Sequence, residues 1–241
     1  MSNDSEFLSR LKKEEFETAH GKIIAYDVEQ GSADWYELRA GRATSSEFHK
    51  ILTKTGQFSK SANKYANALV AEFMLQRAVD IYDSTPWMER GKILESAAAD
   101  FYSMTYDVEL KKVGFVTTED GFCGCSQDRL IMKDGKVIGS LEIKCPSPEV
   151  HMENLTEKKV DKNHWPQLQG TYFVTGVPTI DIISYHPEMP PVVLPVERDE
   201  QYINKLAEQI THFKLMVKDK LIKLVEDGHL TSAMLEERGM L

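Results

Sequence analysis

The spacing of apolar residues changes along this 241-residue chain, and the order of the changes limits the folds that it can adopt. Segments with the three- and four-residue spacing of amphipathic helices stand on both sides of segments with the alternating pattern of strands. The predicted helices are 62–80, 92–106, 149–158, 162–175 and 199–227. The predicted strands are 108–117, 123–132, 137–145, 180–185 and 192–196. This order predicts an α/β fold with a central mixed sheet flanked by helices.

Three segments divide the chain. Residues 1–24 are polar and are interpreted as a leader, residues 25–228 as one domain, and residues 229–241 as a C-terminal tail. No apolar run approaches the roughly 20 residues that a membrane span requires, and the N-terminus has no apolar signal-peptide core. We therefore expect a cytoplasmic protein that does not associate with membranes.

The acidic composition argues against one class of nucleic-acid-binding protein. The formal net charge is −9, so we do not expect a protein that coats DNA by bulk attraction. An enzyme with a local basic channel is compatible with this charge, because a metal site rich in carboxylates also makes the total more negative. The three cysteines are too few and too irregularly spaced for a disulfide framework or a zinc site.

A carboxylate–lysine triplet lies in the third strand of the central group. Strand alternation puts the side chains of Glu142 and Lys144 on one face and buries Ile143 on the other. Asp128 lies on the preceding strand, and the turn Asp134-Gly135 brings it across from Glu142. Two carboxylates in this position can share a hard divalent cation such as Mg²⁺, which polarises a phosphoryl oxygen and activates a bound water. Lys144 would add a positive charge beside that water.

The register of this hairpin decides whether the two carboxylates can meet. A regular two-residue turn at Asp134-Gly135 pairs Asp128 with Leu141, which puts Asp128 and Glu142 on opposite faces. A shared metal therefore requires a three-residue loop or a bulge, and the glycine at 135 favours a glycine-type bulge. We predict that Asp128 and Glu142 are direct neighbours on one face.

The triplet alone is weak support for catalysis, because a solvated strand face has the same pattern. Three other triplets in the chain match it: Glu109-Leu110-Lys111, Asp134-Gly135-Lys136 and Glu157-Lys158-Lys159. Two features distinguish the triplet at 142–144. It lies within an otherwise apolar strand, and an acidic residue stands across the hairpin from it.

Several short motifs, taken in order, resemble the PD-(D/E)XK nuclease superfamily. More narrowly, they resemble the lambda exonuclease family of phage recombination nucleases, the YqaJ-like alkaline exonucleases. The resemblance runs from about residue 26 to residue 213 and implies a restriction-endonuclease-like core. Its motifs are Val28-Glu29-Gln30-Gly31, Leu38-Arg39-Ala40-Gly41, Thr44-Ser45-Ser46-Glu47, Gly91-Lys92 with Glu95, Cys125-Ser126-Gln127-Asp128, Leu141-Glu142-Ile143-Lys144-Cys145-Pro146, Gln167-Leu168-Gln169 and Val196-Glu197-Arg198-Asp199-Glu200.

The resemblance implies a role for each matching residue. The implied catalytic residues are Asp128, Glu142, Lys144, Glu95 and Gln167. Asp128, Glu142 and the Ile143 carbonyl would bind Mg²⁺, for which Mn²⁺ would substitute, with two ions in each site. Arg39, Ser46 and Ser126 would bind the 5′-phosphate of a DNA end, because the arginine fork bonds phosphate oxygens bidentately.

Each of these roles has a structural alternative. Glu95 would otherwise be a surface carboxylate on a helix. Arg39 would otherwise pair with Glu37 or Asp34, and Gln167 would bond buried backbone.

The resemblance also implies an activity and its partners. The chain would be a 5′-to-3′ exonuclease on double-stranded DNA ends that releases mononucleotides and leaves a 3′ single strand. It would form a ring-shaped homotrimer around DNA and act with a phage single-strand annealing protein in a bacterial host. Two alternatives stay open. One is another PD-(D/E)XK deoxyribonuclease, such as an endonuclease or a RecB-like domain. The other is a non-catalytic protein that binds DNA ends.

Overall fold

A computed structural model describes residues 4–18, 21–79, 86–159 and 164–237. Its helices are α1 Asp4–Arg10, α2 Ala33–Arg39, α3 Ala62–Leu75, α4 Pro86–Tyr106, α5 Pro148–Glu157, α6 Trp165–Thr175, α7 Glu200–Glu226 and α8 Ser232–Glu237, with a 3-10 helix at Ser45–Lys50. Its strands are β1 Lys13–Thr18, β2 Gly21–Tyr26, β3 Ala43–Thr44, β4 Glu109–Lys112, β5 Phe115–Thr118, β6 Cys123–Cys125, β7 Arg129–Lys133, β8 Lys136–Lys144, β9 Ile180–His186 and β10 Met189–Pro195.

The strands form two sheets of five strands each. The first sheet has the order β1-β2-β5-β6-β3 and the second β10-β9-β8-β7-β4. Each contains one parallel pair, β3 with β6 and β8 with β9, among antiparallel pairs. The predicted mixed α/β class is therefore confirmed, but the prediction of one central sheet is wrong.

Two predicted strands cross from one sheet to the other, which explains the difference. The segment 108–117 divides into β4 and β5, and the segment 123–132 divides into β6 and β7. At the first crossing, a Cβ added to Gly114 would lie 1.8 Å from the carbonyl oxygen of Val28. Only glycine can occupy this corner, because any side chain would overlap that main chain.

The hairpin between β7 and β8 has the register that the sequence predicted, but a bulge at a different position produces it. Its turn has two residues, Asp134 and Gly135, both with positive φ, at 51° and 72°, as a type I′ turn requires. The irregularity lies further along, because Met132 pairs with Val137 whereas Ile131 pairs with Gly139. Ile138 is the extra residue of a bulge, so the predicted bulge exists but is not at Gly135.

The second sheet is covered on both faces. On one face, Leu130 and Met132 of β7 pack into the main core with α3 and α7. On the other, residues of β7, β8 and β9 pack against Ala98, Ala99 and Tyr102 of α4. Leu141 and Ile143 belong to this second cluster, so alternation along β8 turns Glu142 and Lys144 toward the opposite face.

Helix α4 contacts the sheet through Ala98, Ala99 and Tyr102, and three of its other large apolar residues lie outside this contact. Its periodic residues Ile93, Phe101 and Met104 face solvent, with exposed fractions of 77%, 37% and 84%. The helix predicted at 92–106 is present as part of α4, and these apolar residues lie outside the core.

Both terminal segments contain regular structure within the described ranges. The segment interpreted as a leader contains α1 and β1, and Phe7 and Leu11 are buried in a cluster with Tyr26 and Leu38. Leu235 of α8 is buried in the main core. None of the helices in these ranges is long and apolar enough to cross a membrane.

Candidate active site

Asp128 lies at the corner where the chain leaves β6 and enters β7. Its Oδ2 accepts a hydrogen bond of 2.7 Å from the main-chain N–H of Ile143. The Asp128 carboxylate thus accepts the main-chain hydrogen bond from β8 that a residue of a neighbouring strand would otherwise accept, just before β7 begins. The register places Arg129 opposite Leu141, and one further step sets Asp128 beside Glu142. Asp128 and Glu142 are therefore neighbours, as the sequence predicted.

Glu142 and Lys144 form an ion pair on the same face of β8. Lys144 Nζ lies 2.6 Å from Glu142 Oε1, and the Glu142 side chain is only 12% exposed. The charge of Glu142 raises the pKa of Lys144, which stays protonated. Burial and the same Glu142 charge raise the pKa of Asp128 well above its usual range. Of the two carboxylates, Glu142 is paired with the Lys144 ammonium, whereas Asp128 accepts a hydrogen bond from the Ile143 main chain.

This donor set fits a hard divalent cation. Among the parts of the chain that the structure describes, no three His, Cys, Asp or Glu side chains form a group that could hold a metal. Mg²⁺ needs only one or two carboxylates and keeps several water ligands. The N–H and C=O of one strand residue point to the same edge, so the Ile143 carbonyl also faces Asp128. Asp128, Glu142 and this carbonyl could hold the ion.

Glu95 reaches the same region from α4. Its Oε1 accepts a hydrogen bond of 2.5 Å from Arg129 Nη1, which also donates to the Asp128 carbonyl at 2.6 Å. Glu95, Asp128 and Arg129 line a cavity of about 390 Å³, together with Lys92 and Lys112. Arg129 was missed by the sequence interpretation, and its one signal there is a charged residue at the start of the apolar run Leu130-Ile131-Met132.

Gln167 lies on α6, near the segment that carries Asp128. The Nε2 of the buried Gln127 donates to Thr171 Oγ1 at 3.2 Å. Since residues four apart share a helix face, Gln167 lies on the same side of α6 as Thr171. No hydrogen bond joins it to the carboxylates or Lys144 within the described ranges. The buried Gln169 instead bonds the main chain of Glu197 and Asp199.

A second polar pocket lies beside the carboxylates. Arg39, in the last turn of α2, donates to Ser126 Oγ at 3.1 Å, and its guanidinium lies 4.3 Å from the centre of the Trp35 ring. Trp35 Nε1 also donates to Ser126 Oγ, at 3.1 Å. Burial lowers the pKa of Arg39, which is still a cation at neutral pH. The structure thus brings Arg39 into contact with Ser126, which lies two residues before Asp128.

Ser46 does not complete this pocket directly. It belongs to the 3-10 helix and its Oγ lies 3.3 Å from Thr44 Oγ1. Thr44 and Arg39 line a cavity of about 220 Å³ with Arg42 and Lys50. Glu47 and Glu72 line the same cavity. Ser46 is adjacent to it through Thr44, whereas Ser126 contacts Arg39 itself.

Asp128, Glu142 and Lys144 thus form the acid-acid-lysine arrangement by which the sequence resembles the PD-(D/E)XK nucleases. Residues 34–178 match the YqaJ-like viral recombinase domain, which is more than half of the chain, and the chain belongs to this family. The sequence-based resemblance to the lambda exonuclease family is thereby confirmed. No curated protein sequence matches the chain.

Solved structures of two exonucleases share the fold. The alkaline exonuclease LHK-Exo from Laribacter hongkongensis superposes with a TM-score of 0.65 at 22% identity, over 82% of this chain and 98% of that one. A structure of LHK-Exo with dAMP gives 0.66 at 23% identity over the same shares. A phage-related exonuclease from Haemophilus somnus gives 0.54 at 17% identity, over 76% and 96%.

Proposed function

We propose that this chain is a magnesium-dependent 5′-to-3′ exonuclease that degrades one strand from double-stranded DNA ends. The observation that carries the proposal is the bulged register of β7 and β8, which sets Asp128 beside Glu142 with Lys144 on the same face. The exonuclease names of structures with this fold support the same reaction class.

The chain's residues divide the work of phosphodiester hydrolysis. Bound Mg²⁺ would polarise the scissile phosphate and activate the attacking water. Asp128, Glu142 and the Ile143 carbonyl would hold the ion, and Glu142 keeps Lys144 on the same face as itself. The Lys144 ammonium stabilises the negative charge that develops when water attacks phosphorus and the P–O3′ bond breaks. The products are a mononucleotide with a 3′-hydroxyl and a new 5′-phosphate on the shortened strand.

The pocket of Arg39 and Ser126 would set the direction of digestion. Arg39 binds the terminal 5′-phosphate through its guanidinium fork, with Ser126 and Ser46 donating hydroxyl hydrogen bonds. Ser126 and Asp128 are two residues apart, so at most about 7 Å separates their Cα atoms. A strand end bound at Arg39 therefore lies close to the carboxylates, and cleavage proceeds from the 5′ end.

The remaining assignments complete the proposed enzyme. Glu95 would hold a second metal ion, Gln167 would orient substrate or Lys144, and Mn²⁺ would substitute for Mg²⁺. A ring-shaped homotrimer encloses the duplex, which explains how a chain of net charge −9 can stay on DNA. The 3′ single strand passes to a phage annealing protein in the cytoplasm of a bacterial host.

The test is digestion of linear duplex DNA with and without a 5′-phosphate, beside covalently closed circles of the same sequence. We expect Mg²⁺-dependent release of mononucleotides from phosphorylated linear DNA, intact circles, and no product with Asp128→Asn. Cleavage of closed circles would identify an endonuclease instead. Binding of DNA ends without any hydrolysis in Mg²⁺ or Mn²⁺ would identify a non-catalytic end-binding protein.

A further inference from the structure

Arg129 joins two separate parts of the candidate metal site. The residue is 8% exposed at the start of β7. One nitrogen, Nη1, donates to Glu95 Oε1 on α4 at 2.5 Å and to the Asp128 carbonyl at 2.6 Å. A single guanidinium therefore ties the carboxylate of one element to the main chain of another.

The surroundings of Arg129 would suit an apolar side chain. Strand alternation puts it on the α4 face of the sheet with Ile131, which packs there with Leu141 and Ala98. Taking a cation out of water costs several kcal/mol unless close partners offset it. For stability alone, a residue such as methionine could fill the same space. A buried arginine at this position therefore suggests a function that depends on its hydrogen bonds to Glu95 and to the Asp128 carbonyl.

Two lysines near Glu95 compete with Arg129 for its carboxylate. Lys92 is three residues earlier on α4 and lines the same cavity, as does Lys112. Side chains three apart on a helix are neighbours, so an unrestrained Glu95 could turn to Lys92 and away from Asp128. The bond to Arg129 opposes this rotation, because the same Nη1 also donates to the Asp128 carbonyl.

We propose that Arg129 is a positioning residue that holds Glu95 beside Asp128 for binding of the second metal ion. The inference rests on the proposed function, which assigns that ion to Glu95. Two effects of Arg129 oppose each other. Its positive charge alone weakens cation binding, whereas its restraint of Glu95 strengthens it. The sign of the change on removing Arg129 therefore separates positioning from simple charge.

The experiment measures Mn²⁺ binding to the full chain, from the paramagnetic resonance signal of free Mn²⁺. The variants are Glu95→Gln, Arg129→Met, Arg129→Lys and the double variant Glu95→Gln/Arg129→Met. We expect Glu95→Gln and Arg129→Met each to weaken the second Mn²⁺ by about tenfold, the lower end for residues that orient metal ligands. Arg129→Lys, which keeps the charge on a single donor nitrogen, should lie between Arg129→Met and the wild type.

The double variant is decisive, because residues that act through one another do not add. We expect it to bind Mn²⁺ no more weakly than Glu95→Gln alone, and the digestion rate at subsaturating Mg²⁺ to follow the same pattern. Additive losses, or Arg129→Met binding Mn²⁺ as tightly as the wild type or more tightly, would overturn the inference. An effect of Arg129→Met without any effect of Glu95→Gln would overturn it too.

Controls separate this inference from folding defects and from the proposed function. Arg198→Met removes another poorly exposed arginine, paired with Glu200 at 2.6 Å, and should leave Mn²⁺ binding unchanged. If Arg129→Met does not fold, the same cycle with Arg129→Lys replaces it, and its smaller effect must likewise disappear in Glu95→Gln. A wild-type chain that neither binds Mn²⁺ nor degrades DNA would contradict the proposed function itself.

Discussion

Ile131 of β7 pairs with Gly139 of β8, although a regular ladder from the two-residue turn would pair it with Ile138. This shift of one residue turns Asp128 and Glu142 to the same face. Gly139 fits closely there, because an added Cβ would lie 2.6 Å from Thr179 Oγ1 and 3.1 Å from the Thr179 carbonyl oxygen. The pairing that aligns the carboxylates thus depends on a residue without a side chain.

Gly139→Ala should therefore destabilise the fold. Overpacking of this kind costs about 1–3 kcal/mol, measured as the free energy of unfolding in urea. Gly91→Ala is the matched control, since an added Cβ on α4 meets nothing within 4 Å. That substitution should stabilise the helix by about 0.5–1 kcal/mol. Equal stability of the two variants would contradict the close packing of Gly139 on Thr179.

The hairpin shows how far the sequence can predict this site. The Asp134-Gly135 dipeptide, alternation along β8 and the chemistry of Asp128 and Glu142 together required one extra residue. Its position at Ile138 depends on contacts of β8 with Thr179, which lies next to β9 and far away in sequence. A local pattern therefore predicts that a bulge is needed but does not show where it lies.

Other features depend on contacts that no local pattern contains. The first crossing between the two sheets lies at Gly114, which packs against the main chain of Val28. Helix α4 packs on the sheet through Ala98, Ala99 and Tyr102, whose hydroxyl donates to Asp181 of β9 at 2.6 Å. Arg129 looks like an isolated charge in a strand until the fold brings Glu95 to it.

Asp128→Asn should increase the stability of the metal-free chain and abolish its response to metal. The asparagine keeps an oxygen for the Ile143 N–H and removes the repulsion from Glu142, a gain on the order of 1 kcal/mol. At a Mg²⁺ concentration of about 100 times Kd, the wild type should gain about 2.7 kcal/mol and the variant little. Thermal unfolding with Mg²⁺ and with a chelator measures both effects. Glu142→Gln is the control, because it separates Lys144 from its partner and should not stabilise the metal-free chain.

The raised pKa of Asp128 also predicts how pH affects the metal-free chain. A carboxyl that holds its proton more tightly in the folded state makes folding less favourable as pH rises from its unfolded value, near ~4, to its raised folded value. The wild type should lose stability over this interval relative to Asp128→Asn, in unfolding curves measured with chelator. Parallel pH profiles for the two proteins would show that Asp128 has an ordinary pKa.

Arg39→Ala should remove the preference for phosphorylated ends. Loss of a hydrogen bond to a charged group costs about 1.5–3 kcal/mol, which corresponds to roughly a 10- to 100-fold change in rate. The measurement is the ratio of digestion rates on ends with a 5′-phosphate and with a 5′-hydroxyl. Arg10→Ala is the matched control, since it removes an exposed arginine that pairs with Asp34 of α2 at 2.9 Å. A preference that survives in Arg39→Ala would place the phosphate pocket elsewhere.

Two of the four acidic-x-Lys triplets lie entirely within strands, at 109–111 and 142–144. They allow a direct test of which lysine takes part in catalysis. Lys111 of Glu109-Leu110-Lys111 pairs with Glu14 of β1 at 2.6 Å, so its charge serves a contact between strands. Lys144 pairs within its own triplet, beside Asp128.

Lys144→Met should lower kcat by about 10²–10³-fold, the usual effect of removing a group that stabilises transition-state charge, and leave Mn²⁺ binding within a few-fold. Lys111→Met should retain full activity, because an exposed ion pair contributes only about 0–1 kcal/mol to stability. Equal activity of the two variants would mean that the chemistry does not depend on the triplet at 142–144.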